Sequence, residues 1–125
     1  MTIAIADQIR DRPYYDRDTA LVWDILRAGL KLVSATRDRR FDDYAADEML
    51  QLACERLLIT VGEASVRLSE EFRLRHSGVA WLEIIALGTR LVHDYPRIDQ
   101  RELWRVITVD VPLLIREIQP LVFGL

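Results

Sequence analysis

The residues best suited to chemistry lie close together between Gly88 and Tyr95. Arg90 and His93 are three residues apart, which puts them on one side of an α-helix, about 60° from each other. An imidazole can move a proton at the 2′-hydroxyl or the leaving oxygen of RNA, and a guanidinium can stabilise the phosphorane charge. The pair is therefore a minimal set for cleaving RNA without a metal. A single histidine at a helix end is more often a structural cap, so spacing alone leaves that alternative open.

Other kinds of catalytic site are not indicated. His76, His93 and Cys54 are too far apart in the sequence for any spacing that signals zinc. The chain has no Glu-x-x-His pair of the kind that holds metals inside a helical bundle. Neither serine nor cysteine follows a strained strand-to-helix turn, so no nucleophilic triad is recognisable. The sequence predicts no metal and no cofactor.

Apolar residues recur at helical spacing in four segments, which are the elements that must position the candidate residues. The predicted first helix begins near Asp16 or Asp18, a loop covers Thr36 to Asp43, the second helix runs from about Ala45 to Leu74, the third from about Ala80 to His93, and the fourth follows Asp99. The fourth has a buried stripe of Leu103, Ile107, Leu114, Ile118 and Leu121, and Pro112 should kink or divide it. We therefore expect an all-α, up-and-down bundle of four to five helices in one domain, 1–125, with 1–15 flexible or a short helix.

The second predicted helix carries two apolar stripes. One stripe alternates spacings of four and three and consists of Leu50, Cys54, Leu57, Val61, Ala64 and Leu68. The other, Leu52, Ile59 and Val66, recurs every seven residues on nearly the opposite side. One face can serve the core, so the second predicts a homodimer packed along this helix, unless the other helices wrap around it.

The composition of the chain says more about where the protein is expected to work than about its activity. The chain has no apolar stretch long enough to span a membrane and no signal-peptide pattern, and its single cysteine suits a reducing compartment, so we expect a cytoplasmic protein. A net charge of −3 is not typical of a protein that coats nucleic acid. All 17 basic residues except Lys31 are arginines, however, and arginine binds phosphate well. RNA binding by a local patch stays open.

Several segments together resemble the HepT-like family of the HEPN superfamily. They are Glu48-Met-Leu-Gln-Leu-Ala, Gly62-Glu-Ala64, Arg67-Leu-Ser-Glu70, Trp81-Leu-Glu-Ile-Ile85, Arg90-Leu-Val-His-Asp-Tyr95 and Asp110-Val-Pro112. The resemblance runs from about Asp16 to Val122 in the family's order. It implies a dimeric helical bundle with active clefts along the dimer interface and a metal-independent ribonuclease toxin. The antitoxin it implies is a minimal nucleotidyltransferase (MNT), which silences the toxin by transferring AMP to a tyrosine.

The resemblance assigns the family's histidine to His93 as acid or base and its modified tyrosine to Tyr95. The family's arginine position is Gly88 and the following asparagine is Thr89, so half of the expected pair is missing. Arg90, Arg97 or an arginine of the other subunit would have to replace it. Arg90 is the nearest. Glu63 matches a family acidic position and either supports the site or pairs with Arg67 on the helix surface.

Two functions follow. One is an RNA endonuclease toxin that uses His93 and is neutralised at Tyr95. The alternative is a catalytically degenerate HEPN domain that has kept dimerisation and nucleotidyltransferase binding. On the second hypothesis, Gly88→Arg with Thr89→Asn should restore the site without disturbing the core stripes. His76 is expected to be solvated, Cys54 to be a small core residue, and the three tryptophans to anchor the core or an interface.

Overall fold

The computed structural model describes residues 17–123, without the side chains of Tyr95 and Phe123, and in this part of the chain every regular element is a helix and none is a strand. The helices are α1 (Arg17–Thr36), α2 (Phe41–Ala45), α3 (Glu48–Arg67), α4 (Glu70–Arg75), α5 (Trp81–His93), α6 (Gln100–Arg105) and α7 (Val111–Phe123). A 3₁₀ turn (Tyr95–Arg97) precedes α6, and a π-helical turn (Val106–Asp110) joins α6 to α7. The predicted all-α class is confirmed. The prediction for residues 1–15 lies outside the described residues.

The two long helices α1 and α3 form the centre of the bundle. α1 packs against α3 on one side and α7 on the other, and α5 packs against the far side of α3. Buried aliphatic residues fill the space between them, and Ile25, Leu32, Val61 and Leu114 are fully enclosed. Cys54 is also fully buried, as predicted. The arrangement leaves α5, which carries His93, on the outside of α3.

The second predicted helix is two helices, and the prediction of one segment from Ala45 to Leu74 is wrong. The chain leaves helical geometry at Leu68 and Ser69, both of which are extended. The Ser69 hydroxyl caps α4 by accepting a hydrogen bond from the Phe72 N–H at 3.1 Å. The carboxylate of Asp18 accepts hydrogen bonds from the Ser69 N–H at 2.7 Å and from its hydroxyl at 2.6 Å. These contacts with α1 offset the helical hydrogen bonds lost at the break.

The predicted loop from Thr36 to Asp43 is shorter than expected, because α2 begins at Phe41. This short helix is held by Tyr44, whose ring is fully buried 5.2 Å from the ring of Trp104. The Arg101 guanidinium lies 4.2 Å above the ring of Phe41, within the range of a cation–π contact. The aromatic contacts therefore fix α2 against α6, which follows the candidate site in the chain.

The fourth predicted helix is divided near Pro112, as expected. The division is a π-helical turn, wider than an α-helical one, that ends just before the proline. Proline has no N–H and its ring collides with the carbonyl four residues earlier, so the π-helical turn at Val106–Asp110 relieves this strain. A π turn contains one extra residue, which rotates the following helix by about 100° relative to the expected phase. Leu114 and Ile118 are buried as predicted, and Val122, four residues after Ile118, takes the next core position in place of the predicted Leu121, which is 39% exposed.

α3 and α5 approach each other most closely where two glycines face each other. A Cβ atom added to Gly88 would lie 3.2 Å from the Gly62 Cα, and one added to Gly62 would lie 3.1 Å from the Gly88 Cα. Gly88 also faces the Leu58 carbonyl, and Gly62 faces that of Ile84, so the two helices run antiparallel. The expectation that an arginine at position 88 would leave the core undisturbed is wrong, because its Cβ would meet the backbone of α3.

The second stripe of α3 is uncovered and continues onto α5. Relative to Gly62, Ile59 and Val66 are rotated by about 60° and 40°, and relative to Gly88, Ile85 and Val92 have the same two offsets. Equal offsets on antiparallel helices point to the same side of the pair. We call this surface the outer face; it consists of Leu52, Ile59, Val66, Leu82, Ile85 and Val92. Four of these side chains are about half or more exposed, so the alternative that other helices cover this stripe does not hold within the described chain.

His76 is packed rather than solvated, which corrects the prediction from its loop position. Its Nδ1 lies 3.1 Å from the Glu117 Oε1, and its ring centroid is 4.5 Å from that of Phe72. The side chain is only 17% exposed. His76 therefore links the end of α4 to α7 and is not available as a second free imidazole.

We expect Gly88→Arg to destabilise the protein by roughly 1–3 kcal/mol, because a side chain there must push α3 and α5 apart. The measurement is urea denaturation followed by circular dichroism. Thr89→Arg is the matched control, because the neighbouring position is exposed and should change the free energy of unfolding by no more than about 0.5 kcal/mol. Equal stability of the two variants would contradict the close approach of the helices.

Candidate active site

The candidate residues lie where α5 ends. The Asp94 N–H donates to the Arg90 carbonyl at 2.7 Å, and the Arg97 N–H donates to the Asp94 carbonyl at 3.1 Å. Pro96 has no N–H to extend the helix, so the backbone tightens into the 3₁₀ turn that begins at Tyr95. The predicted end of the helix at His93 is confirmed. His93 and Tyr95 therefore lie on either side of a defined helix end.

His93 is exposed on the side of α5 that points away from the core. It is rotated by about 140° from Gly88, which contacts α3, and it directly follows Val92, so it lies at the rim of the outer face at the C-terminal end of α5. Within residues 17–123, no hydrogen bond or ion pair engages its imidazole. The imidazole is thus accessible from solvent.

Arg90 is held by a single carboxylate across a cleft. Its two terminal nitrogens both donate to Glu102, with Nη1 3.2 Å from Oε2 and Nη2 in close contact with Oε1. These hydrogen bonds raise the pKa of Arg90 above its already high value, so the guanidinium stays charged. Sequence reasoning missed Glu102, which follows twelve residues later on a different helix and carries no local signal.

The cleft beside Arg90 has a volume of about 340 Å³ and lies between α5 and α6. Arg105 lines it and contacts two acidic side chains, Glu83 at 3.6 Å and Asp110 at 3.2 Å. Burial raises the pKa of Asp110, while the charge of Arg105 opposes that shift. Acidic side chains thus accompany both arginines of the cleft, and their charges limit how strongly it attracts phosphate.

The remaining predicted residues are not gathered around His93. Gly88, which the sequence resemblance assigned to the family's arginine position, is buried against α3. Glu63 follows Gly62 and is therefore level with Gly88, about five residues or ~7.5 Å of helix rise from His93. No ion pair joins Glu63 to Arg67 in the described part of the chain. Arg97 is 84% exposed, and its Nε lies 3.6 Å from Asp94.

Sequence reasoning also missed a partly buried hydrogen-bond relay at the start of α6. The Tyr44 hydroxyl donates to the Gln100 Oε1 at 2.6 Å, and the Gln100 Nε2 donates to the Glu55 Oε2 at 2.8 Å. Burial raises the pKa of Tyr44 well above its usual range, so the phenol remains a donor. The only sequence signal nearby was Asp99, predicted and confirmed as the helix cap, whose Oδ1 accepts from the Arg101 N–H at 2.9 Å.

Other chemistries find little support in the described residues. Burial raises the pKa of the Cys54 thiol to about 11, so it is not a thiolate nucleophile at neutral pH. Residues 17–123 contain no group of three or more His, Cys, Asp or Glu side chains placed to hold a metal ion. In the same range, no helix is both long and apolar enough to cross a membrane.

A comparison with protein families and a comparison with individual proteins both match proteins described as ribonucleases. Residues 25–121 match the family described as ribonuclease HepT-like. The chain is 31% identical over 100 residues to "Putative RNase MJ1380" of Methanocaldococcus jannaschii, covering 80% of this chain and 92% of that protein. It is 33% identical over 91 residues to "Probable ribonuclease HepT" of Thermococcus cleftensis, covering 73% and 83%. It is 32% identical over 108 residues to "Putative RNase TTE0752" of Caldanaerobacter subterraneus subsp. tengcongensis, covering 86% and 90%. No solved structure matches the chain.

Proposed function

Because this chain belongs to the ribonuclease HepT-like family, we propose that it is a metal-independent RNA endonuclease in which His93 transfers the proton. The observation that carries the proposal is an exposed, unengaged imidazole one helical turn from a fixed guanidinium. His93 takes the proton of the ribose 2′-hydroxyl, or gives one to the departing 5′-oxygen. As the 2′-oxygen bonds to phosphorus and the bond to the 5′-oxygen breaks, Arg90 stabilises the added charge on the phosphorane oxygens.

A second candidate function is supported by the packing of Gly88 and by the pairing of Arg90 with Glu102. An arginine at position 88 would require α3 and α5 to shift relative to each other, because its Cβ would lie 3.2 Å from the Gly62 Cα. A domain that had lost cleavage would still offer the outer face and the motif tyrosine to a partner. On this alternative the chain is a dimeric binding partner of a nucleotidyltransferase and not a nuclease.

The biological role that we propose is the toxin of a HEPN/MNT toxin–antitoxin pair in the cytoplasm. The antitoxin transfers AMP from ATP to the Tyr95 phenol oxygen, which loses its proton, and pyrophosphate leaves. Tyr95 follows the helix end two residues after His93. An AMP group there adds bulk and negative charge next to the imidazole and would repel RNA phosphates.

We also propose that the protein works as a homodimer whose interface is the outer face. That face is apolar across two helices, and Leu82, its most exposed member, is 80% exposed. Apolar surface of this extent is typical of an interaction site. His93 at its rim would then line a cleft between subunits, where an arginine of the second copy could also reach the substrate.

The first expected result concerns RNA cleavage. His93→Ala should lower the rate by about 10²–10⁴, because proton transfer is lost, and Arg90→Ala by about 10²–10³, because one charge-stabilising group is lost. The measurement is cleavage of a labelled RNA, which should proceed equally well in EDTA.

Arg116→Ala is the control for loss of an exposed arginine elsewhere and should cleave like the wild type. All three variants replace exposed side chains, so their circular dichroism should match that of the wild type. An active wild type that is indifferent to Arg90→Ala would exclude Arg90 as the substitute arginine. An inactive wild type that still dimerises would favour the binding-partner function.

The second expected result concerns Tyr95. Incubation with a cognate MNT-type nucleotidyltransferase, ATP and magnesium should add the mass of AMP to the wild type, as measured on the intact protein. Tyr95→Phe should gain no mass, since it lacks the acceptor oxygen. An undiminished gain in Tyr95→Phe would assign the modification to another residue.

The third expected result concerns the oligomeric state. Light scattering should show a dimer at micromolar concentration, with an interface of roughly 2,000 Å² or more if association is obligate. Val66→Glu should shift the protein toward monomer, because it buries a charge in the outer face. Val109→Glu is the matched control, because Val109 has nearly the same exposure but lies in the π-helical turn. A wild-type monomer, or equal effects of the two variants, would contradict the interface.

A further inference from the structure

The pairing of Arg90 with Glu102 leaves much of the guanidinium available. Arginine has five N–H donors in a rigid, planar fork. The carboxylate of Glu102 takes one hydrogen from each terminal nitrogen, and the Nε–H and the two outer hydrogens remain. A phosphate oxygen can therefore bind to the side of the guanidinium without displacing Glu102.

Glu102 itself is on a short helix that is fixed at its first turn. The Gln100 side chain accepts from the buried Tyr44 and donates to Glu55, so α6 is tied to both α2 and α3. Asp99 caps the same turn. The relay and the cap hold the backbone that carries Glu102, and Glu102 in turn holds Arg90.

We propose that Glu102 is a positioning residue that fixes the Arg90 guanidinium one helical turn from His93. The inference rests on the proposed function. A long, exposed arginine that is already held in one orientation does not have to be ordered when charge develops on the phosphorane, and preorganised charge stabilises a transition state more strongly. The Tyr44–Gln100–Glu55 relay extends this support into the core.

The opposite role for Glu102 is to mask Arg90 by competing with phosphate for the guanidinium. The two roles predict opposite kinetics. Glu102→Gln removes a negative charge in both cases, so KM for RNA should fall or stay the same. If Glu102 positions Arg90, kcat falls roughly 10-fold or more because the guanidinium is no longer held in place. If Glu102 masks Arg90, kcat/KM rises.

The comparison needs three further variants. Asp24→Asn is the matched control, because it removes the carboxylate of another exposed arginine–carboxylate pair, Arg27 with Asp24 at 3.5 Å on α1, outside the cleft, and it should leave kcat unchanged. Gln100→Ala should lower kcat in the same direction as Glu102→Gln but by less, since it loosens α6 without removing the carboxylate. Arg90→Ala shows how far kcat falls when the guanidinium is removed altogether. Adding Glu102→Gln to Arg90→Ala should cause no further decrease in kcat.

Chemical rescue separates positioning from a general structural effect. Free guanidinium ion at concentrations too low to denature the protein should partly restore cleavage by Arg90→Ala, because Glu102 still offers its docking site. The same ion should not restore the Arg90→Ala/Glu102→Gln double variant. Equal rescue of both, or a Glu102→Gln enzyme with wild-type kcat, would overturn the proposal while leaving the ribonuclease function intact.

NMR spectroscopy tests the inference even if the wild type cleaves no RNA, an outcome that would refute the nuclease function alone. Titration with inorganic phosphate should shift the Arg90 Nε–H and the His93 Cε1–H together, while the Glu102 Cδ signal stays in place. A moving Glu102 signal would mean that phosphate displaces the carboxylate, as masking requires. Failure of phosphate to shift both Arg90 and His93 would also overturn the positioning role.

Discussion

The backbone contact between Gly62 and Gly88 is the constraint on which the rest of the site depends. Because neither position has a side chain, the backbones of α3 and α5 can pack directly against each other. This close contact determines how α5 is rotated about its own axis. That rotation buries Leu87 and Leu91, turns Arg90 toward α6, and leaves His93 at the rim of the outer face. A bulkier residue at either glycine would displace these groups together. An arginine at position 88 would therefore disturb the packing of α3 against α5 as well as add a guanidinium.

Charge is arranged so that each arginine of the cleft already has an acidic partner. The chain, of net charge −3, thus has cationic groups near His93 whose charge is balanced by Glu102, Glu83 and Asp110. Exposed ion pairs contribute little to stability, so the pairs in the cleft matter mainly through the orientation they impose.

Local features were predictable from the sequence, whereas contacts between distant segments were not. The end of α5 at His93 and the capping of α6 by Asp99 follow from proline chemistry and cap preferences within a few residues. The break after Leu68 depends on Asp18, 51 residues from Ser69, and no local pattern contains it. The partnership of Arg90 with Glu102 and the relay from Tyr44 through Gln100 also join different helices. The sequence therefore identified the candidate imidazole and guanidinium but not the groups that hold the guanidinium.

The π-helical turn at Val106–Asp110 has a consequence for comparing this chain with its relatives. The turn absorbs one residue without lengthening the path of the chain around the core, so helix phase changes there by one position. A relative with an uninterrupted α-helix in this region would match residue by residue up to α6 and would need a one-residue gap beyond it. Side-chain roles in α7 can be transferred between the two only after that offset is applied, and a gapless alignment would pair core positions of one protein with surface positions of the other.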